Sequence, residues 1–497
     1  MKSIKFLKLA FYLIIGVLVF LKAISFIDPD FGWHLATGNI ILQSGFPKTD
    51  PFSYTMPSFP FVEHEWLVDI IFAKLYPVAG LPGISILCSL LFLSAIWVSV
   101  SKLKEFKPAF FIVGISSLAS FFTNSPKVFS WLLFSLFILA VFNEKFWEKY
   151  WFAIPLIILL WTNLHGSFPE ALIILLVIFI CKSIREKRVW IKGLTAVFLS
   201  FLATLINPYG VKLWWIIWLT VSDPLIKYRI AEWQPAYANL LGFSFLTLFL
   251  FTISAVLIFR YWRRFKIEQI VLNLIFFVQA ILAVRNITIW VLLDLPMLAT
   301  AINYFLSDPR VKKTGKVKLE IVSKGMLLLV GIIFVFQCIS FAFRYSNLLK
   351  ENLFYPKGAV SYLELNLPGG QIFSEYNWGG YLIWELPEKK VFVYGMMPSW
   401  TWRSGPLSES NNAMTDYFDT IAGKIPYQTV FNKYNIDTAL LSVPKEQKPI
   451  TTFAEKITHF FGIKETTNTT DPLYKELEKD GWKEAYKKNS MVVLKKP

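Results

Sequence analysis

The sequence predicts a mainly α protein: a polytopic bundle of about 11 transmembrane helices over residues 1–344, carrying an extracytoplasmic α/β domain over residues 345–497. Three observations predict it. The apolar residues come in blocks of about 20, the length that crosses a bilayer, in a chain that is 55% hydrophobic with a mean hydropathy of +0.50. Most blocks lack the polar face that a soluble amphipathic helix needs. Composition then changes at Tyr345, after which the chain is polar and carries 18 Lys and Arg against 17 Asp and Glu.

The remaining charge, 32 basic against 17 acidic residues, belongs to the apolar part. It gathers in short loops between the blocks, as the positive-inside rule requires, so it anchors loops in the cytoplasm and does not imply a nucleic-acid partner. Cys88, Cys181 and Cys338 all lie inside apolar runs and form neither a disulfide framework nor a metal site.

In chain order, Lys2, Lys5 and Lys8 precede an apolar run to about Ile27. That run is too long for a signal peptide, and no small-residue cleavage site precedes Asp28. It reads as a first span with a cytoplasmic N-terminus, followed by a first outer loop at 28–82. Further spans are expected near 83–101, 108–122, 127–142, 151–163, 168–182, 190–206, 240–260, 267–284, 287–305 and 323–343. The basic loops at Lys102/Lys104/Lys107, Lys145/Lys149, Lys182/Arg185/Lys187/Arg188, Arg260/Arg263/Arg264/Lys266 and Arg310/Lys312/Lys313/Lys316/Lys318 then all fall on the cytoplasmic side. An odd number of spans places the C-terminal domain outside a cell (inner) membrane. In that domain QIFSEYNWGGYLIWEL, KVFVYG, DTALLSV and SMVVLKK read as strands, and NKYNI and Thr452–Phe461 as helices. It holds no nucleophile–base pair or phosphate loop, which favours interaction or substrate positioning.

The non-basic polar residues of the membrane part collect on the outer side. The first loop, Asp28–Trp66, holds two of the four histidines, three aspartates and two glutamates. In Asp28-Pro29-Asp30 the proline biases its predecessor away from helix, and in an extended chain positions i and i+2 face the same way. The two carboxylates would serve as a general base with a charge beside it, or as oxygen ligands of a divalent cation. A plainer reading makes Asp30 the cap of the helix FGWHLATGNIILQ. Trp33, His34, Ile40 and Ile41 suit a short interfacial helix ended by Gly45 and Pro47. Glu63-His64-Glu65-Trp66 opens a second amphipathic stretch. Two glutamates at this spacing cannot share a helix face, and Glu65 is preferred. Trp66 and Tyr76 read as interface anchors. The other outer turns supply Asn163, His165 and Glu170 of TNLHGSFPE, Asn207 and Tyr209 of INPYG, Arg229 and Glu232 of KYRIAEW, and Arg285 with Asn286 of AVRNIT. Arg285 is a candidate phosphate clamp, with snorkelling to headgroups as its bland alternative. Asp294, beside Pro296, lies inside a span, where a carboxylate asks for a partner.

DPDFGWHLATGNIILQSGFPKTDPFSYT followed by EHEWL resembles a group of prokaryotic multi-pass membrane proteins related to GT-C glycosyltransferases; NLHGSFPE, INPYG, AEW and NWGGYLIWELPEKKVFVYG extend the likeness over most of the chain. The resemblance implies a GT-C bundle with an acidic motif in its first outer loop, a polyprenyl-phosphate-type sugar donor, and in some members a divalent cation such as Mg or Mn. Carried onto this chain it makes Asp28, Asp30 and Glu65 the catalytic carboxylates, with Asp30 and Glu65 also the metal candidates. His34, His64, Asn163, His165 and Arg285 become substrate-binding candidates. Two stretches depart from the pattern: Tyr394-Gly395-Met396 stands where similar proteins tend to read Asp-Gly-Arg, and Ser58-Phe59-Pro60-Phe61 where Gly-Arg-Pro-Trp is expected. The function implied is inverting sugar transfer from a lipid-linked donor to an extracytoplasmic acceptor, with membrane lipids as surroundings. The alternatives are a lipid or polysaccharide transporter, which needs ionisable residues near the bilayer midplane, and a non-catalytic membrane assembly protein.

Overall fold

The computed structural model describes residues 2–103, 106–237, 245–308, 324–335, 355–443, 471–488 and 491–497. The expected helix at Thr452–Phe461 and the basic loop at 310–318 lie outside these residues. Helices are α1 Lys2–Ser25, α2 Phe31–Ser44, α3 Trp66–Ser99, α4 Lys107–Leu118, α5 Lys127–Val141, α6 Glu144–Lys149, α7 Ala153–Leu164, α8 Pro169–Glu186, α9 Ile191–Ala203, α10 Lys212–Ser222, α11 Pro224–Arg229, α12 Phe245–Tyr261, α13 Ile267–Leu282, α14 Ile287–Ser307, α15 Lys324–Val335, α16 Lys357–Leu365, α17 Gly379–Glu385, α18 Ala413–Ile421, α19 Tyr427–Lys433 and α20 Asp471–Lys479. The chain forms two compact units: residues 1–27, 75–213 and 227–343, and residues 28–74, 214–226 and 344–497.

The first unit is helical. Each of the eleven apolar segments expected from sequence carries a helix. Among the described residues, Trp66–Ser99 and Val284–Ser307 are long and apolar enough to cross a membrane, and several shorter apolar helices accompany them. Their outward faces are apolar: Leu176, Ile180 and Ile184 on α8, and Leu274, Val278 and Leu282 on α13, are exposed at four-residue spacing. That pattern inverts the soluble rule and suits contact with lipid. α14 is buried along most of its length and packs against α4, α5, α12 and α13. At its centre Asp294 finds the partner that the sequence did not name. Ser254 of α12 donates to it at 2.6 Å, and Asn273 of α13 at 2.8 Å. α3 breaks at Gly80 (φ 58°) between Pro77 and Pro82, since proline removes helix hydrogen bonds and only glycine adopts that backbone without strain. The break coincides with the expected division between amphipathic stretch and span.

The second unit is built on a sheet of β1 Gln371–Ser374, β2 Ile436–Ser442, β3 Lys483–Lys488 and β4 Met491–Lys495, in the order β1-β2-β4-β3. β1 runs parallel to β2, and the other pairings are antiparallel. DTALLSV and SMVVLKK are strands as expected. Only the first four residues of QIFSEYNWGGYLIWEL are strand, because the Gly379-Gly380 pair starts α17. In KVFVYG a single bridge, Ser53 to Val391, replaces a strand. The expected helix at NKYNI ends at Lys433, and Asn435 turns with φ 53° into β2.

The polar first loop belongs to this unit and packs against its C-terminal chain. The Val391 N–H donates to the Phe52 carbonyl and the Tyr54 N–H to the Val391 carbonyl. Thr55 Oγ1 donates to the Phe392 carbonyl at 2.7 Å, and Tyr54 Oη to that of Ile372 at 3.0 Å. Both stretches that depart from the resembled pattern pack into this unit. Phe59 stacks on Trp400 with centroids 4.8 Å apart, and Tyr394 Oη donates to Asp50 at 2.8 Å. Asp50 also accepts the Phe52 and Ser53 N–H groups, so the loop is pinned by a buried carboxylate.

Candidate functional site

α2 carries the site because two glycines let it approach its neighbours closely. A Cβ on Gly32 would collide with the Gly380 carbonyl of α17, and one on Gly38 with the Asp69 carbonyl of α3. The α2 face holding Phe31, Trp33, His34 and Thr37 is therefore buried, not spread on an interface as expected. The crossing sets the His34 imidazole between two carboxylates. Nδ1 lies 2.7 Å from Asp69 Oδ1, and Nε2 lies 3.2 Å from Glu65 Oε2.

Asp28-Pro29-Asp30 is a turn, not the extended segment expected. The Phe31 N–H donates to the Asp28 carbonyl and the Asp30 N–H to Asp28 Oδ1, both at 3.0 Å. Asp30 takes the N-cap position of α2 with helical backbone angles (φ −87°, ψ −12°) and makes no side-chain cap bond; its Oδ1 accepts the Trp33 indole N–H at 3.0 Å instead. The carboxylates still join one electrostatic group: Asp28 acts on His34, and Asp30 on Glu63.

Glu63 and Glu65 both reach the site. They precede α3, so the helix-face argument does not apply. The Glu65 N–H donates to Glu63 Oε1 at 2.7 Å. One ligand atom each from His34, Glu63 and Glu65 lies within 4.8 Å of the others, and all three residues are buried. Glu63 Oε2 has no hydrogen-bond partner among the described residues. Burial pushes Glu63 up to about 8; the Glu65 N–H opposes this and Asp30 adds to it. Burial also pushes His34 down to about 3 against the pull of Asp28, leaving a neutral imidazole. Desolvated carboxyls around a neutral nitrogen fit a divalent cation, which would satisfy the bare oxygen. Glu65 is thus in the ligand-capable set, and Asp30 stands beside it. His64 Nε2 is 3.7 Å from Glu65 on the more exposed side.

The other candidates belong to the first unit. Asn163 donates to the Leu159 and Ile206 carbonyls and braces the end of α7. His165 Nδ1 accepts the Ser167 N–H, which leaves the ring proton of the neutral form on Nε2. Arg285 pairs with Glu232 at 3.1 Å and lies over the Trp233 ring at 4.3 Å. Asp69 was not singled out from sequence, and Tyr394 was noted only as a departure from the resembled pattern. Asp69 was legible as the single acid in the apolar run WLVDIIF, whereas nothing local to Tyr394 signals its bond to Asp50.

No protein-family model matches the sequence, and no curated protein matches it. Among solved structures, the chain is similar to the archaeal oligosaccharyltransferase AglB from Archaeoglobus fulgidus, described in complex with an inhibitory peptide and a dolichol-phosphate. The TM-score is 0.54 at 11% identity, over 88% of this chain and 70% of that one. It is also similar to ArnT from Cupriavidus metallidurans in the apo state, with a TM-score of 0.54 at 12% identity over 99% and 98% of the two chains. At this identity the likeness is one of architecture, and the chain has the GT-C fold that its first loop led us to expect.

Proposed function

We propose that the protein is an inverting membrane glycosyltransferase that moves a sugar from a polyprenyl-phosphate-type lipid donor to an extracytoplasmic acceptor. The observation that carries this reading is the grouping of buried Asp28, His34, Glu63 and Glu65 with half-buried Asp30 in the stretch that follows α1. Supporting it, AglB, of the same fold, is described with a dolichol-phosphate. Asp28 or Asp30 takes the proton of the acceptor hydroxyl. The acceptor oxygen bonds to the anomeric carbon as that carbon's bond to the phosphate oxygen breaks, and the electron pair leaves on the phosphate. His34, Glu63 and Glu65 would hold a divalent cation, which would supply charge to the leaving phosphate. Arg285 and His165 are the donor-binding candidates. The apolar helices serve as the spans of a multi-pass bundle of about 11, with a cytoplasmic N-terminus and residues 345–497 outside. A transporter would need an intramembrane carboxylate open to cargo, and Asp294 is instead committed to Ser254 and Asn273.

The test is a screen of lipid-linked sugar donors on purified protein, with and without divalent cation. Transfer should appear with one donor class and fall by about 100-fold or more in Asp28→Asn or Asp30→Asn, the range expected for a lost general base. No transfer from any donor, or wild-type rates in both variants, would overturn the reading.

A further inference from the structure

Beside His34, Glu63 and Glu65 stands one more group that sugar transfer does not call for. Asp69 is fully buried in the first turn of α3, and its Oδ1 lies 2.7 Å from His34 Nδ1. Its position is set by backbone, because Gly38 of α2 rests on the Asp69 carbonyl itself. On the far side of the ring, Nε2 faces Glu65 at 3.2 Å. Glu63 is held by the Glu65 N–H through Oε1, which leaves Oε2 without a partner among the described residues. A fully buried carboxylate oxygen in that state asks for a cation.

We propose that Asp69 is a positioning residue. It accepts the Nδ1–H of His34 and so presents the Nε2 lone pair, with Glu63 and Glu65, as one nitrogen and two carboxylate ligands that select a late first-row divalent ion over Mg²⁺. A metal-bound histidine characteristically passes its other N–H to a carboxylate, which fixes the tautomer and raises the nitrogen's basicity. An imidazole ligand also shifts preference away from hard, oxygen-seeking Mg²⁺. This deepens the cation site of the proposed transferase and is read without any donor present.

The experiment strips the full-length purified chain with chelator and titrates it with Mn²⁺, Co²⁺, Zn²⁺ or Mg²⁺ against a chromophoric competitor, with the visible spectrum of Co²⁺ as a second readout. One equivalent of Co²⁺ or Zn²⁺ should bind, with Mg²⁺ at least about tenfold weaker. Asp69→Ala should lose about 10–100-fold in Co²⁺ affinity, the usual cost of removing such a support. Asp69→Asn, which keeps an acceptor oxygen without the charge, should lose less and shift the Co²⁺ bands. Equal Mg²⁺ and Co²⁺ affinity, or wild-type Co²⁺ binding in either Asp69 variant, would overturn the proposal while leaving sugar transfer standing. A failed donor screen with this metal behaviour intact would do the reverse.

Discussion

Glu63 illustrates how much a single buried group decides. In the unfolded chain a glutamate releases its proton near 4.5; here burial holds it to about 8. Between those values the folded protein holds a proton on Glu63 that the unfolded protein does not, so the contribution of Glu63 to stability falls as pH rises from about 4.5 to about 8 and levels off beyond. Thermal unfolding of metal-free wild type and Glu63→Gln across that window should differ by this decline, the variant losing less stability as pH rises. A wild-type slope in the variant would assign the effect elsewhere. The reason Glu63 was not singled out from sequence lies in its backbone. Glu63 and Glu65 look like a helix start, but the helix begins at Trp66, and the turn joining them through the Glu65 N–H brings both into the cluster. Asp28 and Asp30 were legible as residues, though their conformation was not, since the same proline that disfavours helix before it also favours a turn.

At the scale of elements, the site depends on how tightly α2 seats between α17 and α3. Gly380 faces the Pro29 carbonyl just as Gly32 faces that of Gly380, so the two backbones touch without side chains between them. Gly380→Ala inserts a methyl group where only backbone can yield, and overpacking of that kind costs about 1–3 kcal/mol. The expected result is a lowered denaturation midpoint together with weaker metal binding, because a shifted α2 carries His34 with it. Unchanged stability would mean that the crossing is softer than its geometry. The helix over FGWHLATGNIILQ was legible in its apolar spacing and closing Gly45. Its burial was not, because the partner that covers it, α17, lies more than 300 residues later and reads locally as strand.

At the scale of the whole molecule, the alternation of apolar blocks with basic loops was sufficient to locate the eleven expected apolar helical segments, since bilayer length and charge bias are both visible in one dimension. It did not locate short helices such as α6, α10 and α11. The pairing of the first loop with the C-terminal chain was not visible, because it rests on backbone bonds and aromatic stacking that no spacing rule encodes. The proposed orientation is checked by thiol labelling in a background without native cysteines. A cysteine at exposed Ser58 should react with an impermeant reagent in intact cells, and one at exposed Lys187 only after permeabilisation. The opposite pattern would invert the topology.

The bonds that close the first loop also impose an order in time. Tyr54 waits for Ile372, Thr55 for Phe392, Asp50 for Tyr394 and Ser58 for Glu409, separations of 318 to 351 residues. At ribosomal speeds of about 5–20 residues per second, each acidic loop is made roughly 15 to 70 s before the chain that covers it. For that interval every newborn molecule carries its acidic loop uncovered, and the loop closes only after the residues that cover it have been made.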